Sequence, residues 1–481
     1  MKSCFIIIFL FLTCGCVLAQ DDSIVAEQPA EYAFRLVLAD KGGTTFTLEH
    51  PEEYLSAKAL ERRRRQGLAV DSTDLPVSGE YLKEIARRDV EILGTSKWNN
   101  TVLVKGSHLQ TLLRLGRLPF VKEVVKVWAT PTEEMPRPHR EDFHTVFNAW
   151  DSVPDKHYGV AQEQMAAIGG VRLHDAGFRG RGMTIAVFDA GFMNADRLPA
   201  LDSVRVMGVS DFVNPGGNVF RESEHGTKVL STMALDIPNV FVGTAPEASY
   251  WLIRCEHDGP ENLIEEDYWA MAAEFADSVG VDIVNSSLGF HNFDDRSANI
   301  KYRDLDGMTS LISRTASMMA SKGMILVNSA GNDGMGAWKK IGVPADARDI
   351  LTVGAMTLTE SNAAFSSVGP TADGRVKPDV MAVGSPAAVL TARGTLLRDT
   401  GTSFSAPQIA GMVACLWQAF PDKTALEVME MVRQSGNNYL TPDNIYGYGV
   451  PNFGKLLDER GELQDEKDDS QGEIVEPLNS E

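Results

Sequence analysis

The alternation of apolar and polar positions divides the chain into two regions of regular structure. In the first region, residues 31–130, short apolar runs alternate with amphipathic stretches. The pattern predicts strands at 33–40, 90–96, 100–106 and 121–128, and helices at 55–67, 79–88 and 108–118. Because strands and helices interleave over so short a span, this region predicts a small α+β domain.

A segment of different composition follows this region. Residues 131–157 contain several prolines and mixed charges with little periodicity, which is typical of an exposed linker. We therefore expect a domain boundary within this segment.

Residues 158–456 show a second pattern, in which apolar β-branched runs alternate with longer helical stretches. The pattern predicts strands at 184–190, 249–255, 281–289, 324–331 and 350–356, and helices at 267–280, 310–323 and 406–420. Strands separated by helices of this length need crossover connections. The region therefore predicts an α/β fold of three layers, a parallel sheet covered by helices on both faces.

Composition places the chain among ordinary globular proteins and argues against nucleic acid as the main partner. The 481 residues are 43% hydrophobic and 23% charged, which is enough for two or three domains with a sizeable core. The formal net charge is -21, whereas phosphate binding needs a basic surface. In residues 457–481 ten acidic residues stand against two basic ones, and we expect a solvated, disordered tail there.

The first 19 residues have the pattern of a secretory signal. Lys2 precedes an apolar run at 5–12, and the small residue Ala19 marks the exit. We expect an exported protein, either secreted or periplasmic, with attachment of a lipid to Cys16 as the weaker alternative. No later run of about 18 apolar residues predicts a membrane span.

Loss of the signal leaves two cysteines, Cys255 and Cys415, which are too few for a disulfide framework. Cys255 ends a strand-like run and Cys415 lies in a helix-like one. We expect both thiols to be free and buried.

The arginine run Arg62–Arg65 is the one unusual feature of the first region. A solvated helix face is the preferred interpretation of this run. A protease-processing site is the alternative.

Polar residues at the carboxyl ends of predicted strands are the first candidates for chemistry, because ligands of open parallel sheets gather there. Asp189 closes the apolar run IAVF, and Asn332 follows another strand in the glycine-rich segment NSAGNDG. Taken singly, Asp189 is typical of a turn or cap and Asn332 of a left-handed turn. The functional alternative is a carboxylate that orients a base and an amide that donates to an oxyanion.

Two further candidates stand at the start of predicted helices. His225 opens HGTKVLSTMA, where the helix dipole does not favour a cation and Gly226 permits close backbone approach. Ser403 lies in GTSFSAPQIAGMVA just ahead of a long helix, where Ser403 or Ser405 would ordinarily serve as the cap. With the carboxylate and the amide, these residues supply a nucleophile, a base, its orienting acid and an oxyanion donor. The chain order Asp, His, Ser is one of three known for this arrangement, which by itself leaves a chance match or an inactive homologue open.

The motifs IAVFDAGF, HGTKV, NSSLG, SAGNDG, VKPDVMAVG and GTSFSAP, in this order, resemble the signature set of the subtilases. The resemblance covers residues 158–453. It implies a subtilisin-like serine endopeptidase that acts on polypeptides and needs no cofactor for catalysis. It also implies that Asp189 is the orienting acid, His225 the general base, Ser403 the nucleophile and Asn332 the oxyanion donor.

The same resemblance implies a groove in which an extended substrate pairs with the backbone as an added strand. One wall of the first specificity pocket continues this strand, and a second segment forms the opposite wall. The residues implied to bind substrate are Ser287, Leu288, Gly289, Ser329, Ala330 and Gly331. Gly342 is placed at the pocket floor, which leaves room for a large apolar side chain.

The chain departs from the family pattern at several positions. Ala190 replaces the usual Ser or Thr, Leu230 and Ser231 replace Ala and Gly, and Phe404 replaces Met. We expect these changes to affect rate and packing more than the type of reaction. Residues 290–309 resemble an insertion near the cleft.

Residues 20–130 resemble, more faintly, the propeptides that subtilases use as folding aids and temporary inhibitors. A large parallel sheet has many non-local contacts and nucleates slowly, so a tethered domain that stabilises it would help it to fold. We expect the precursor to cut itself between Thr130 and His157.

Two other classes of function stay open at this stage. A binding protein that keeps the fold and the peptide groove without activity is the main alternative, and the intact set of candidate residues argues against it. A nucleotide-binding α/β protein would need a GxGxxG after a strand or a GxxxxGK[ST] loop, and the chain has neither.

Structural calcium is a separate expectation. Many subtilases bind calcium for stability, and the acids that could supply hard oxygen ligands are Asp294, Asp295, Asp304 and Asp306. The ligand spacing of an EF-hand loop is absent from the chain. Solvated surface acids are therefore the preferred interpretation.

Overall fold

The computed structural model describes residues 31–130 and 156–458. The predicted signal, nearly all of the predicted linker and nearly all of the acidic tail lie outside the described residues. The strands are β1 (Tyr32–Leu38), β2 (Glu91–Ser96), β3 (Thr101–Gly106), β4 (Val121–Ala129), β5 (Thr184–Asp189), β6 (Arg205–Asp211), β7 (Asp236–Ile237), β8 (Phe241–Val242), β9 (Ser249–Arg254), β10 (Ile283–Ser286), β11 (Ile325–Ser329), β12 (Leu351–Thr357), β13 (Val380–Ser385), β14 (Ala387–Leu390) and β15 (Leu396–Asp399). The α-helices are α1 (Ala57–Arg65), α2 (Gly79–Ala86), α3 (Leu109–Arg114), α4 (Gln162–Ala167), α5 (Gly170–Asp175), α6 (His225–Ala234), α7 (Ile264–Val279), α8 (Leu311–Met318), α9 (Thr402–Ala419) and α10 (Ala425–Gln434).

The first region forms the predicted α+β domain. Its four strands make an antiparallel sheet in the order β2-β3-β1-β4. Because side chains alternate along a strand, Phe34 and Leu36 of β1 join a core with α2 and α3, whereas Ala33 and Arg35 face the second domain. This second face of the sheet packs on α7, where Trp269 is fully buried.

The arginine run of α1 is not a solvated face, and that prediction is wrong for two of its members. Arg62 and Arg63 are 2% and 1% exposed, because α1 packs on the second domain and both guanidinium groups bind Asp277 of α7. Arg64 does fit the prediction, since its side chain is 76% exposed and binds Glu61 of the same helix.

The second region forms the predicted three-layer α/β domain. Seven parallel strands lie in the order β13-β12-β11-β10-β5-β9-β6. On one face Ile185 and Val187 of β5 join a core with α6 and α9, and on the other Ala186 and Phe188 join a core with α7 and α8. Burial on both faces explains why the strand sequences are continuously apolar.

The two cysteines behave as the sequence predicts. Cys255 and Cys415 are free and buried. Within residues 31–130 and 156–458, no helix combines the length and the apolar character needed to span a membrane.

Candidate active site

The close approach of β5 and α6 brings two of the predicted residues together at the carboxyl edge of the sheet. Asp189 is the last residue of β5 and His225 is the first residue of α6. The N–H of Gly226 donates to the carbonyl oxygen of Gly191 at 3.1 Å, and a Cβ on Gly226 would lie only 2.3 Å from that oxygen. Only glycine therefore allows this approach.

Asp189 and His225 form a direct hydrogen bond. The Nδ1 atom of His225 lies 2.9 Å from Oδ1 and 3.0 Å from Oδ2 of Asp189, which is completely buried. The backbone N–H of Ala190 donates to Oδ1 at 2.9 Å, so the carboxylate keeps a local partner although Ala190 has no hydroxyl. With Nδ1 bound to the acid, Nε2 is the nitrogen that is left to exchange a proton.

The environment favours the charged form of the imidazole. Burial alone would lower the pKa of His225, but the charge of Asp189 and its hydrogen bond outweigh burial and raise this pKa above its ordinary value. Phe404 is one of the residues that depart from the family pattern. Its ring packs beside His225 with the ring centres 5.9 Å apart.

Ser403 lies in the first turn of α9, and not ahead of the helix as predicted, because α9 begins at Thr402. The helix also contains Pro407. Proline has no N–H, so the carbonyl of Ser403 lacks the helical donor four residues later. The hydroxyl of Ser287 supplies this bond, donating to the Ser403 carbonyl oxygen at 2.9 Å. The helix can therefore start earlier than the sequence pattern predicted.

The hydroxyl of Ser403 does not hydrogen-bond to the imidazole among the described residues. It donates instead to the carbonyl oxygen of Ser287, at 3.4 Å. Ser403 and His225 nevertheless line the same cleft, which has a volume of about 490 Å³. A larger cavity of about 710 Å³ lies between the two domains, and none of the four candidate catalytic residues lines it.

Asn332 also lines this cleft, and its side-chain amide is oriented by α9. Its Oδ1 accepts two hydrogen bonds of 3.0 Å, from the backbone N–H and from the hydroxyl of Thr402. Both donors bind the oxygen, so the NH₂ end of the amide points away from them and is free to donate.

The predicted substrate-binding residues come from the ends of two adjacent strands, β10 and β11. Those that line the cleft are Ser287, Leu288, Gly289, Ser329 and Gly331. Ala330 is completely buried and does not line the cleft, and its N–H donates to the carbonyl oxygen of Val353. Gly342 packs on Phe290, where a Cβ would lie 2.6 Å from the Phe290 carbonyl oxygen.

Sequence reasoning missed an acidic part of the cleft. Glu256, Asp258 and Glu261 line it, together with His257. Burial, with the charge of Asp294, raises the pKa of Glu261 to about 7, and burial lowers the pKa of His257 to about 4. These residues follow β9, so the rule that function gathers at strand ends could have found them.

The segment that resembles an insertion contributes to the cleft. Phe290 and His291 line it, and the His291 ring stacks on Trp338 with the ring centres 5.0 Å apart. Nδ1 of His291 lies 3.5 Å from a carboxylate oxygen of Asp333, which also lines the cleft.

Two of the four acids considered as calcium ligands, Asp295 and Asp306, have other partners. Asp295 binds Lys126 at 2.9 Å, and Asp306 accepts hydrogen bonds from the N–H groups of Met308 and Thr309. In the part of the chain that the structure describes, no group of three or more acidic, histidine or cysteine side chains could hold a metal ion.

Comparison with known families agrees with this architecture. Residues 180–449 match the peptidase S8 model, which describes the subtilase family. Residues 33–141 match the model of the peptidase S8 propeptide domain of Bacteroidota. The chain belongs to the subtilase family of serine peptidases, and it carries a propeptide domain at its amino-terminal side.

Individual relatives support the same assignment. Subtilisin NAT of Bacillus subtilis subsp. natto is 28% identical over 316 residues, which cover 65% of this chain and 73% of that protein. Serine protease AprX of Bacillus subtilis strain 168 is 27% identical over 303 residues, which cover 57% of this chain and 65% of the relative.

Two solved structures share the fold. The epidermin leader peptide processing serine protease of Staphylococcus aureus has a TM-score of 0.60 at 15% identity and covers 89% of this chain and 98% of its own. The MycP3 protease of a type VII secretion system has a TM-score of 0.50 at 22% identity and covers 64% of this chain and 90% of its own. At these identities the likeness concerns the fold alone.

Proposed function

We propose that this peptidase is an exported serine endopeptidase whose catalytic triad is Asp189, His225 and Ser403, with Asn332 as an oxyanion donor. The observation that carries the proposal is the Asp189–His225 hydrogen bond at the rim of a cleft that Ser403 also lines. A carboxylate-bound imidazole beside a hydroxyl at a helix amino end is the arrangement that acyl transfer needs.

The reaction begins when the Ser403 hydroxyl turns from the Ser287 carbonyl toward Nε2 of His225. Such a turn is a side-chain rotation, and catalytic hydrogen bonds commonly tighten only when substrate is bound. His225 takes the hydroxyl proton as Ser403 attacks the peptide carbonyl, and it then gives the proton to the leaving amine. Asp189 holds the imidazole in the required tautomer throughout.

Negative charge develops on the carbonyl oxygen during the attack. The NH₂ group of Asn332 is oriented to donate to this oxygen, because Thr402 fixes the opposite end of the amide. The amino end of α9, which carries Ser403, adds a favourable dipole. Water then hydrolyses the acyl-enzyme through the same residues.

The propeptide domain is proposed to be cut from the peptidase by the enzyme itself, between Thr130 and His157. Strand β4 ends at Ala129, and residues 126–130 line a pocket with Asn262 and Asp294. This pocket adjoins the acidic end of the cleft, because Asp294 N–H donates to the carbonyl oxygen of Glu261. The chain therefore leaves the domain close to where it would have to enter the cleft.

Export is proposed on the pattern of residues 1–19 alone. Fractionation of producing cells would test it, with the amino-terminal sequence of the exported protein as the readout. Accumulation of full-length chain inside the cell would contradict export.

The catalytic proposal is tested by labelling the purified precursor with a fluorophosphonate probe. The wild type is expected to be labelled and to release its amino-terminal domain, whereas Ser403→Ala does neither. Ser405→Ala is the matched control, because Ser405 lies in the same helix but is completely buried. It should behave as the wild type does.

A peptide-binding protein without activity is the second candidate, favoured by the hydrogen bond of the Ser403 hydroxyl to Ser287 in place of His225. If the wild type and Ser403→Ala are labelled by the probe equally and cleave an unfolded protein substrate equally, the peptide-binding function without activity is the one to accept.

A further inference from the structure

Three carboxylates at one end of the cleft take no part in the proposed acyl transfer. Glu256, Asp258 and Glu261 follow β9 and line the cleft together with His225 and Ser403. We call these three residues the acidic end. Because they border the space that a substrate would fill, a charged side chain of the substrate would meet them directly.

The acidic end has no cation of its own within the part of the chain that the structure describes. The side chains of Glu256 and Asp258 form no hydrogen bond or ion pair there, and the buried Oε2 atom of Glu261 has no hydrogen-bond partner. Arg254 is the arginine nearest in sequence, and it is bound to Asp211 at 3.2 Å. The acidic end therefore lacks a positive partner.

Other buried acids of the second domain differ in this respect. Asp267 binds Arg35 at 2.6 Å, and Asp379 binds Lys377 at 2.7 Å. Burying a carboxylate without a positive or hydrogen-bonding partner is costly, so such groups are rare outside functional sites. Unpaired acids that border a cleft are thus better explained by a group that binds there than by the fold.

Repulsion among the acids shows how strongly the acidic end would favour a cation. Burial, followed by the charges of Glu265 and Glu261, raises the pKa of Glu256 well above its ordinary value. Burial, with the charge of Asp294, raises the pKa of Glu261 to about 7. A guanidinium or ammonium group placed between these carboxyls would lower both pKa values and bind the charged forms.

The order of the strands places the acidic end beside the implied substrate strand. β5 lies between β10 and β9 in the sheet and ends at Asp189. The segments that continue from β10 and β9 therefore face each other across a gap of about 10 Å, two strand spacings, which is the space for one added strand. A substrate paired with residues 287–289 has the acidic end on its other side.

Residues 287–289 also form a wall of the implied first specificity pocket. The substrate residues beside this segment are therefore those that precede the bond to be cut. We propose that the acidic end is a specificity site that selects polypeptides with an arginine or lysine side chain two to four residues before that bond. The proposal rests on the proposed function, since it assigns a preference to the same cleft.

The chemistry of the acidic end favours arginine most. A planar guanidinium group can donate to two carboxylates at once, whereas an ammonium group acts as a point charge. An acidic side chain at the same substrate position would meet like charges and bind poorly.

The chain itself contains a substrate of this kind in the segment where we place its own cut. Residues 131–155 include two arginines, Arg137 and Arg140, and no lysine. Thr130 lines the pocket that adjoins the acidic end, and the seven residues from Thr130 to Arg137 can span roughly 23 Å. We expect Arg137→Ala with Arg140→Ala to slow release of the amino-terminal domain about tenfold, as measured by electrophoresis over time.

The main test measures kcat/KM of the purified active enzyme on a set of fluorogenic peptides. The peptides share one apolar sequence and differ only by Arg, Ala or Glu at the second, third or fourth position before the cut bond. At one or more of these positions we expect Arg to exceed Ala about tenfold and Glu about a hundredfold, the range for hydrogen bonds to charged groups. The fluorophosphonate probe counts the active enzyme in each preparation.

Glu261→Gln tests the acidic end itself, because it removes a charge and keeps the shape of the side chain. The ratio of kcat/KM for the Arg peptide to that for the Ala peptide should fall roughly tenfold. Glu256→Gln is a second variant if the first does not fold, and it should lower the ratio in the same direction. Asp295→Asn is the matched control and should keep the wild-type ratio, since Asp295 is exposed, binds Lys126 and does not line the cleft.

The outcomes separate this inference from the proposed function. Equal kcat/KM for the Arg, Ala and Glu peptides at all three positions would overturn the inference and leave the peptidase function intact. A ratio that stays at the wild-type value in both glutamate variants would overturn it too. Failure of the probe to label the enzyme, with no peptide cleaved, would instead contradict the proposed function.

Discussion

The hydrogen bond between Asp189 and His225 fixes how activity should depend on pH. A general base must be neutral to accept a proton, and the carboxylate of Asp189 raises the pKa of His225 despite its burial. Lys228 opposes this shift and Asp258 supports it, both as smaller contributions. With His225 as the proposed base, we expect activity to be present above the raised pKa and lost as pH falls through it. We expect kcat/KM against pH to show a limb above about 6.5, the ordinary value for histidine.

Asp189→Asn tests the cause of this limb. Without the carboxylate, burial dominates, so the limb should move to lower pH while the rate falls by about 10⁴-fold, since the tautomer is no longer held. A wild-type limb at or below the ordinary histidine value would contradict the prediction.

The amide of Asn332 should contribute to the rate more than to binding. We expect Asn332→Ala to lower kcat by about 10²–10³-fold with little change in KM, a range known from subtilisin itself. Steady-state kinetics on a peptide substrate measures both parameters. Thermal unfolding of the variant is the control, because a large loss of stability would assign Asn332 a structural role.

At the scale of residues, each of the four candidates had an ordinary structural explanation, yet His225, Ser403 and Asn332 line one cleft. Asp189 is buried behind the imidazole. The bond between Asp189 and His225 agrees with the predicted roles, which stay predictions until they are tested. The partner of the Ser403 hydroxyl could not be predicted, because it depends on a rotamer and on a carbonyl that a distant strand supplies. Burial of Arg62 could not be predicted either, since Asp277 lies 215 residues away in the chain.

At the scale of elements, α9 is packed so closely at Gly411 that alanine should be less stable there than glycine, the opposite of what helix propensity predicts. Alanine is normally favoured over glycine inside a helix by about 1 kcal/mol. At Gly411, however, a Cβ would lie 2.0 Å from Oγ1 and 3.1 Å from the carbonyl carbon of Thr244. We expect Gly411→Ala to lower the free energy of unfolding by about 1–3 kcal/mol, as other overpacked cores do.

Chemical denaturation of the Ser403→Ala background measures this effect without self-digestion. Gly79→Ala in α2 is the comparison, because no atom lies within 4 Å of a Cβ at Gly79. Equal or greater stability of Gly411→Ala would show that α9 and the Thr244 turn move apart at little cost.

The regular elements were predictable where one physical cause dominated. Continuous apolar runs identified the central strands β5, β9, β10, β11 and β12, because these are buried on both faces. Strand β6 lay outside these predictions, since it is an edge strand whose Val206, Met207 and Val209 are exposed. The start of α9 was predicted too late, because the pattern does not reveal that Ser287 replaces the donor missing at Pro407.

At the scale of the whole molecule, we expect the order of the strands to make the second domain slow to assemble. β5 pairs with β9 and β10, so Ile185 meets Tyr250 and Ile283 from distant parts of the chain. Loop closure must precede these contacts. The propeptide domain packs on α7 and binds residues that precede strands β10 and β11. Because these contacts stabilise the sheet, we expect folding of the second domain to be slower when the propeptide domain is removed.

We expect a Ser403→Ala chain that lacks residues 20–130 to refold at least about tenfold more slowly than the full chain, because topology limits the rate. Recovery of tryptophan fluorescence after dilution from denaturant measures the rate. Addition of residues 20–130 as a separate chain should restore it. Equal rates with and without the domain would contradict its role in folding.

In the part of the chain that the structure describes, the thiols of Cys255 and Cys415 are both inaccessible. Burial raises the pKa of Cys415 and of Cys255 far above that of a free thiol, and Cys415 donates to the Thr244 carbonyl oxygen. We therefore expect the two thiols of the native protein not to react with alkylating reagents or with oxidants in solution. The rate at which a label appears on these sulfur atoms would therefore measure how often the core opens spontaneously.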